Sequence, residues 1–196
     1  GQVGHLTSTV PVGDGFVALG YRKRSALDLD EAEVREALAG ADFVVFHGLG
    51  AGAPDWVSTA LAEAPRSIVF PSDPAGALAS GVEARGHLDG EWYTTPDLPP
   101  SPLAASLSGA DLTGLPPLTA ILPQRTPGTA PTPIPLQRQG SGPAEAALVL
   151  GQNQGRRRAV VLASGFWRWA FREGPDRGAY RRLWAGVAGW LLASAP

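Results

Sequence analysis

The sequence predicts an α/β fold in which a mostly parallel sheet has helices on both faces, with a proline-rich irregular insertion and an antiparallel C-terminal strand pair. Helical and strand-like segments alternate with short turns between residues 28 and 71. Two apolar, β-type segments follow one another between residues 146 and 164, and a long amphipathic helical pattern comes last. The length of 196 residues is typical of one domain, so we expect residues 1–196 to fold as a single unit.

The N-terminal segment contains a glycine-rich turn between two apolar stretches. Gly13, Asp14 and Gly15 separate residues 6–12 from residues 16–21. This pattern is compatible with a β-hairpin and equally with a loop that enters a single strand. We expect at least one strand, at residues 16–19.

The segment between residues 28 and 71 alternates between the helical and the strand pattern. Residues 28–39 combine acidic side chains in the first turn with an apolar stripe, which predicts a helix that ends at Gly40. Residues 41–49 and 66–71 are short apolar runs typical of strands buried on both faces. Between these two strands, we expect a helix at residues 55–64, opened by a proline.

Residues 96–143 hold 12 of the 19 prolines. Proline cannot donate a hydrogen bond to a strand ladder, so this segment should not contain a run of central strands. A disordered linker is one interpretation. We favour an irregular insertion packed on the domain, with a short helix at residues 102–107, because a solvated linker has no need of the apolar residues Leu103, Leu107, Leu112, Leu115, Leu118, Ile121 and Leu122.

The C-terminal segment returns to a regular pattern. Residues 146–151 and 158–164 read as two strands joined by the polar turn 152–155, with the spacing of a hairpin. Residues 178–193 form the clearest helical pattern, with apolar side chains at helical spacing and arginines outside that stripe.

Composition and charge exclude several function classes. The chain has no cysteine, which rules out disulfides, thiolate zinc sites, iron–sulfur clusters and cysteine nucleophiles. Eight of the 16 basic residues lie between Arg156 and Arg182, all of them arginine, but the net charge of −2 is unlike that of a nucleic-acid-binding domain. We therefore expect no nucleic-acid partner. The uncharged stretch at residues 183–196 is too short to span a bilayer, so we expect no membrane segment in this chain.

Charge is also divided along the chain. Residues 1–111 carry 15 acids and 6 bases, whereas residues 112–196 carry 3 acids and 10 bases. This division indicates a charged protein partner or self-association.

The C-terminal third resembles a known family. A glycine–arginine turn at residues 155–158, an apolar strand, the Trp167-Arg168-Trp169 motif and a helix with Tyr180, Trp184 and Trp190 are similar to the glutamine amidotransferase-like domains of large bacterial envelope proteins. The resemblance extends over about residues 28–192. It implies a flavodoxin-like fold shared with class I glutamine amidotransferases, and a membrane-anchored parent that often carries von Willebrand factor A modules. The strand and helix that usually begin this fold have no clear counterpart in residues 1–27.

This resemblance implies a scaffold without the family's catalysis. Class I glutamine amidotransferases use a cysteine at a strand-to-helix elbow, and this chain has no cysteine. We therefore expect a non-catalytic scaffold or interaction domain of an envelope-associated protein, with no cofactor.

The alternative is a hydrolase or a carbohydrate-binding relative. His47, Asp73 and Ser164 lie at the ends of predicted strands, and the strand ends of an open α/β sheet line the crevice where ligands bind. The weak catalytic candidates are therefore these three residues. Gly48 and Gly50 form a turn between a strand and a helix that could offer backbone N–H groups to an anion, although a tight turn is the commoner use of glycine.

The second candidate binding element is the Trp167-Arg168-Trp169 motif. On an extended segment, the two tryptophans would point the same way and Arg168 the other way. They would then form a sugar- or partner-binding platform or, as we favour, pack under the C-terminal helix. The three histidines lack zinc-ligand spacing, so no metal site is expected.

Overall fold

The structure of the chain is a computed structural model. It describes residues 5–12, 15–22, 32, 36, 38, 40–126, 130–138, 141–171 and 175–193.

Eleven strands and five helices are defined within the described residues. The strands are β1 His5–Val12, β2 Gly15–Arg22, β3 Val44–Leu49, β4 Arg66–Pro71, β5 Leu88–Thr94, β6 Leu118–Ile121, β7 Pro135–Arg138, β8 Ser141–Ala146, β9 Leu148–Asn153, β10 Arg156–Val161 and β11 Ala163–Ser164. The helices are α1 Asp55–Glu63, α2 Pro74–Ala79, α3 Ala104–Leu107, α4 Trp167–Ala170 and α5 Pro175–Leu192.

A four-stranded mixed sheet forms the part of the fold that the alternating pattern predicts. Its order is β3-β4-β10-β9, in which β3, β4 and β10 are mutually parallel and β9 is antiparallel to β10. Val69 of β4 packs with Val57 and Leu61 of α1, whereas Ile68 belongs to the cluster that contains α5. Since neighbouring residues of a strand point to opposite faces, α1 and α5 cover opposite faces of this sheet.

A second, five-stranded sheet is antiparallel and has the order β11-β6-β5-β7-β8. The prediction of a mostly parallel sheet therefore holds only in its coarser form, an α/β fold with one mixed and one antiparallel sheet.

The expectation that residues 96–143 contain no central strands is wrong. This segment supplies β6 and β7, both inner strands, and the beginning of β8 at the edge. Prolines flank the two inner strands β6 and β7, whereas Pro143 lies within β8, which is an edge strand. Pro117 precedes β6 and Pro123 follows it. Pro135 is the first residue of β7, a strand position at which the missing N–H of proline is tolerated.

The prediction that this segment packs on the domain is confirmed. Every apolar residue on which that prediction rested is buried: Leu103, Leu107, Leu112, Leu115, Leu118, Ile121 and Leu122. The expected short helix is present as α3.

The remaining elements follow the sequence pattern closely. The N-terminal segment is a β1–β2 hairpin, the first of the two alternatives. Residues 32, 36 and 38 are helical, and the rest of the helix predicted at 28–39 lies outside the described residues. The β9–β10 hairpin turns at Gln154 and Gly155, whose φ angles of 49° and 76° suit the two-residue turn that matches strand twist. In the described part of the chain, no helix is long and apolar enough to cross a membrane.

Candidate functional site

The carboxyl ends of β3, β4 and β10 meet at one edge of the mixed sheet, which is where open α/β sheets bind ligands. His47 lies near the end of β3, opposite Phe70 of β4. Asp73 follows β4, and Ser164 follows β10 after a short connection. The sequence-predicted catalytic candidates therefore come from the elements that this edge brings together.

Asp73 accepts two backbone hydrogen bonds, and its role is structural. It is the N-cap of α2: one carboxylate oxygen accepts the Gly76 amide at 2.8 Å, and the other accepts the Ala51 amide at 2.8 Å. These backbone hydrogen bonds, that from Ala51 first, hold the pKa of Asp73 below its ordinary value because they favour the charged carboxylate. Both oxygens are thus occupied by the protein's own backbone.

Further contacts fasten the same elbow to the end of β3. The Ser72 amide donates to the Leu49 carbonyl at 2.7 Å, and the Ser72 hydroxyl donates to the same oxygen at 3.2 Å. Gly76 is buried against β3, and a Cβ at that position would collide with the Leu49 carbonyl. The helix therefore approaches the strand as closely as only glycine permits.

The glycine-rich turn after β3 donates a backbone amide, that of Ala51, to this elbow. Gly48 lies within β3, where the register with β4 shifts between His47 and Leu49, and its φ of 76° favours glycine by conformation alone. The Ala51 amide of the turn already binds Asp73. A carboxylate of the chain itself therefore fills the place at which the sequence suggested an anion.

His47 and Ser164 take no part in this network. His47 is exposed, and its ring lies 5.4 Å from the Phe70 ring, centroid to centroid. Ser164 is exposed in β11 of the antiparallel sheet, where its carbonyl accepts the Thr119 hydroxyl at 3.2 Å. Among the described residues, no hydrogen bond or ion pair joins His47, Asp73 and Ser164 to one another.

The Trp167-Arg168-Trp169 motif differs from the extended segment expected of it. These residues form the short helix α4, which begins after Phe166, a residue already in the helical region. Successive helical residues are about 100° apart, so Trp167 and Trp169 point to nearly opposite sides. Trp169 is fully buried, while Trp167 is 59% exposed.

Two side chains of α4, those of Arg168 and Trp169, donate hydrogen bonds to the carbonyls of adjacent prolines. The Trp169 indole N–H donates to the Pro116 carbonyl at 2.8 Å, and the Arg168 guanidinium donates to the Pro117 carbonyl at 2.8 Å. Trp169 also stacks edge-on against Phe166 at 5.0 Å. The prediction that both tryptophans pack under the C-terminal helix holds for Trp169, which lies in the same core cluster as residues of α5. It does not hold for Trp167, which is exposed.

Two arginines at the start of β10 donate hydrogen bonds to carbonyls at the C-terminal ends of helices. Arg157, only 8% exposed, donates at 2.6 Å to each of the Trp190 and Ala193 carbonyls at the end of α5. On the opposite face, Arg158 donates to the Leu61 carbonyl of α1 at 2.7 Å and to the Ser80 carbonyl after α2 at 3.4 Å. Cations are favourable at the negative end of the helix dipole. These arginines therefore serve the packing of three helices.

One exposed aromatic residue, Phe171, is not among the binding residues that the sequence predicts. Phe171, directly after α4, is 82% exposed, and its ring lies 6.4 Å from that of Trp167. A signal was available, since Gly165 and Pro175 isolate a segment in which Trp167 and Phe171 are four residues apart. No group of three or more His, Asp or Glu side chains suited to a metal ion occurs within the part of the chain that the structure describes.

Comparison with known proteins yields structural neighbours only. No protein-family model matches the chain, and no curated protein matches it. Two solved structures from Salmonella typhimurium are similar in fold. Cytoplasmic Protein STM3548 is 11% identical with a TM-score of 0.54, covering 95% of both chains. Cytoplasmic Protein STM1381, from strain LT2, is 12% identical with a TM-score of 0.50, covering 97% of this chain and 96% of the other. At such identities the likeness concerns the fold alone.

Proposed function

We propose that this chain is a non-catalytic scaffold or interaction domain that retains the flavodoxin-like architecture of class I glutamine amidotransferases. The proposal extends to an envelope-associated parent protein, an extension that the sequence resemblance alone supports. The observation that carries the non-catalytic part is the occupied elbow after β4. There, both oxygens of Asp73 accept backbone amides, and no cysteine is available anywhere in the chain.

The architecture offers limited support for the flavodoxin-like relationship. Three adjacent parallel strands, β3, β4 and β10, carry α1 on one face and α5 on the other, which is the arrangement of a doubly wound sheet. The turn from β4 into α2 is a strand-to-helix elbow, the position at which the resembled enzymes have their nucleophile. In this chain, hydrogen bonds of Ser72 and Asp73 at this elbow join β4 and α2 to the end of β3 and the turn that follows it.

The hydrolase alternative requires a different use of the same residues. A relay from Ser164 through His47 to Asp73 would need the Asp73 carboxylate to orient the imidazole. The structure directs the Asp73 carboxylate to the Ala51 and Gly76 amides, and among the described residues no hydrogen bond joins it to His47. The existing hydrogen bonds therefore favour the scaffold over the hydrolase.

Turnover assays test the proposal. Purified protein is incubated with glutamine, with release of ammonia as the readout, and with a chromogenic ester. His47→Ala and Ser164→Ala serve as matched variants. We expect no turnover above buffer for any of the three proteins. Turnover that either substitution abolishes would refute the scaffold function and support the relay.

A further inference from the structure

The strand β3 lies at the edge of its sheet, although its sequence is that of an interior strand. It pairs with β4 on one side, and among the described residues no strand pairs with its other side. Its sequence, from Val44 to Leu49, includes neither proline nor a charged side chain. Such uncharged runs are typical of strands in parallel sheets that are buried on both faces. The composition of β3 and its position in the sheet therefore disagree.

The other three edges of the two larger sheets are protected or very short. At β9, the Leu150 amide donates to the Pro131 carbonyl at 2.9 Å, so a loop covers that edge. The edge strand β8 contains Pro143 and Glu145, and β11 is only two residues long. Loops, prolines, charges and shortness all keep a sheet edge from pairing with another chain. Within the described part of the chain, the edge of β3 has none of these four protections.

One face of β3 is also left uncovered. Phe46 packs with the cluster that contains α1, whereas Val45 pairs with Ile68 and so points to the face that α5 covers. Val45 is nevertheless 51% exposed, and His47, which points the same way, is exposed as well. The register with β4 is regular over residues 44–47 and shifts only after them. This stretch therefore offers a regular strand edge with an exposed apolar side chain beside it.

We propose that the β3 edge, which is the unpaired side of residues 44–47, binds an extended, uncharged polypeptide segment rich in β-branched residues as an added strand parallel to β3. Main-chain hydrogen bonds give such strand addition its affinity, and apolar side chains of the segment would cover Val45. The inference rests on the proposed interaction-domain function and names the chemistry of the partner.

The composition of β3 also decides the direction of the added strand and its source. Strands that are apolar on both faces belong to parallel sheets, and β3, β4 and β10 already run parallel. A second copy of this chain related by a two-fold axis would place its own β3 antiparallel to the first. The occupant is therefore a different segment and not a second β3.

Fluorescence anisotropy with synthetic peptides tests this edge. The probe is a labelled peptide of about eight residues in which valine and threonine alternate. The control peptide has the same side chains, but all its backbone amides are N-methylated and cannot donate hydrogen bonds. We expect only the unmodified peptide to bind the full chain. Hydrogen exchange should then slow at those amides of residues 44–47 that point away from β4.

Substitutions at exposed positions localise the binding. Val45→Lys places a charge beside the added strand and should weaken binding by about tenfold or more. Leu78→Lys, at a 61% exposed leucine of α2, is the matched control and should leave binding unchanged. Val45→Thr keeps a β-branched side chain and should retain binding. Because both positions are exposed, thermal unfolding should confirm that all three variants remain folded.

A nitroxide label at the amino end of the bound peptide determines the strand direction. Parallel strands begin at the same end, so the label should broaden the NMR signal of the Val44 amide more than that of the Leu49 amide. The reverse order would refute the parallel strand.

Three results of the binding experiments would overturn the proposal: no binding of the unmodified peptide, equal binding of the N-methylated peptide, or binding that Val45→Lys leaves unchanged. Light scattering that shows self-association abolished by Val45→Lys, without peptide binding, would assign the edge to a second copy instead. None of these results depends on enzymatic turnover, so the non-catalytic function is judged separately by the turnover assays.

Discussion

Replacing Arg157 by methionine should destabilise the fold by about 3 kcal/mol. The guanidinium is 8% exposed and donates at 2.6 Å to the Trp190 and Ala193 carbonyls. A hydrogen bond from a charged donor contributes about 1.5 to 3 kcal/mol, and the carbonyls left behind retain some access to water at the end of the helix. For a chain of this length, about 3 kcal/mol corresponds to a fall in Tm of about 6 to 12 °C.

Thermal unfolding followed by circular dichroism measures this effect. The matched control is Arg156→Met, which removes an exposed arginine from the same strand and should change the unfolding free energy by about 0.5 kcal/mol or less. Arg157→Lys keeps the charge, but its shorter side chain does not reach the position of the guanidinium nitrogen that donates both hydrogen bonds, so its Tm should lie between those of the wild type and the methionine variant. If Arg157→Met and Arg156→Met have the same Tm, the helix-end role of Arg157 is wrong.

Three further substitutions test the elbow and the base of α4. Asp73→Ala should lower the unfolding free energy by about 1 kcal/mol at pH 7. The folded-state pKa of Asp73 is lowered, so the carboxylate contributes its full stability above about pH 4 and loses it as the pH falls through the folded-state pKa. Urea unfolding at pH 3 should therefore show a smaller difference between the variant and the wild type. A difference that grows in acid would contradict this sign. Trp169→Phe removes the indole donor to Pro116 and should lower the unfolding free energy by about 1 to 2 kcal/mol in urea, and an unchanged midpoint would contradict the buried hydrogen bond. Gly76→Ala should lower the unfolding free energy by about 1 to 3 kcal/mol, seen as a lower Tm, because its Cβ would collide with β3, and a stabilised variant would exclude that close approach.

The parallel half of the fold could be predicted because its sequence signals are local. The strand predicted at residues 66–71 is observed over the same residues, since an apolar run bounded by prolines leaves little freedom in its limits. The helix predicted at residues 178–193 begins three residues earlier, at Pro175. Proline at the start of a helix is a known signal, and the apolar stripe on which the prediction relied begins only one turn later.

The antiparallel sheet could not be predicted because its short strands fit between prolines. β6 and β7 are four residues each, too short for an alternating pattern to be recognised, and their pairing with β5 is decided by contacts distant in sequence. The same limitation affected α4. Four residues of tryptophan, arginine and alanine have no decisive preference, and the helical conformation is fixed by the buried indole and the proline carbonyls it reaches.

The candidate site shows the same division between local and tertiary signals. His47 and Asp73 lie near the carboxyl ends of β3 and β4, because their positions follow from those strands, whereas Ser164 lies in β11 of the antiparallel sheet. That Asp73 bonds backbone amides, and that Arg157 and Arg158 reach helix ends, depends on which loops and helices meet there. A run of three arginines on one strand indicates only positive charge. That Arg157 and Arg158 hydrogen-bond to helices on opposite faces could be predicted only if the positions of those helices were known.

The path of the chain after β10 explains why α4 is held in a fixed place relative to the parallel sheet. At Leu162 the chain passes from β10 of the mixed sheet into β11 of the antiparallel sheet, and at Ala147 it passes from β8 into β9. The two crossing points are buried and adjacent, because the Leu162 amide donates to the Ala147 carbonyl at 2.9 Å. Leu162 in turn accepts the Leu122 amide at 2.8 Å, after β6. Since α4 begins only a few residues beyond this junction, its position follows from the place where the two sheets meet.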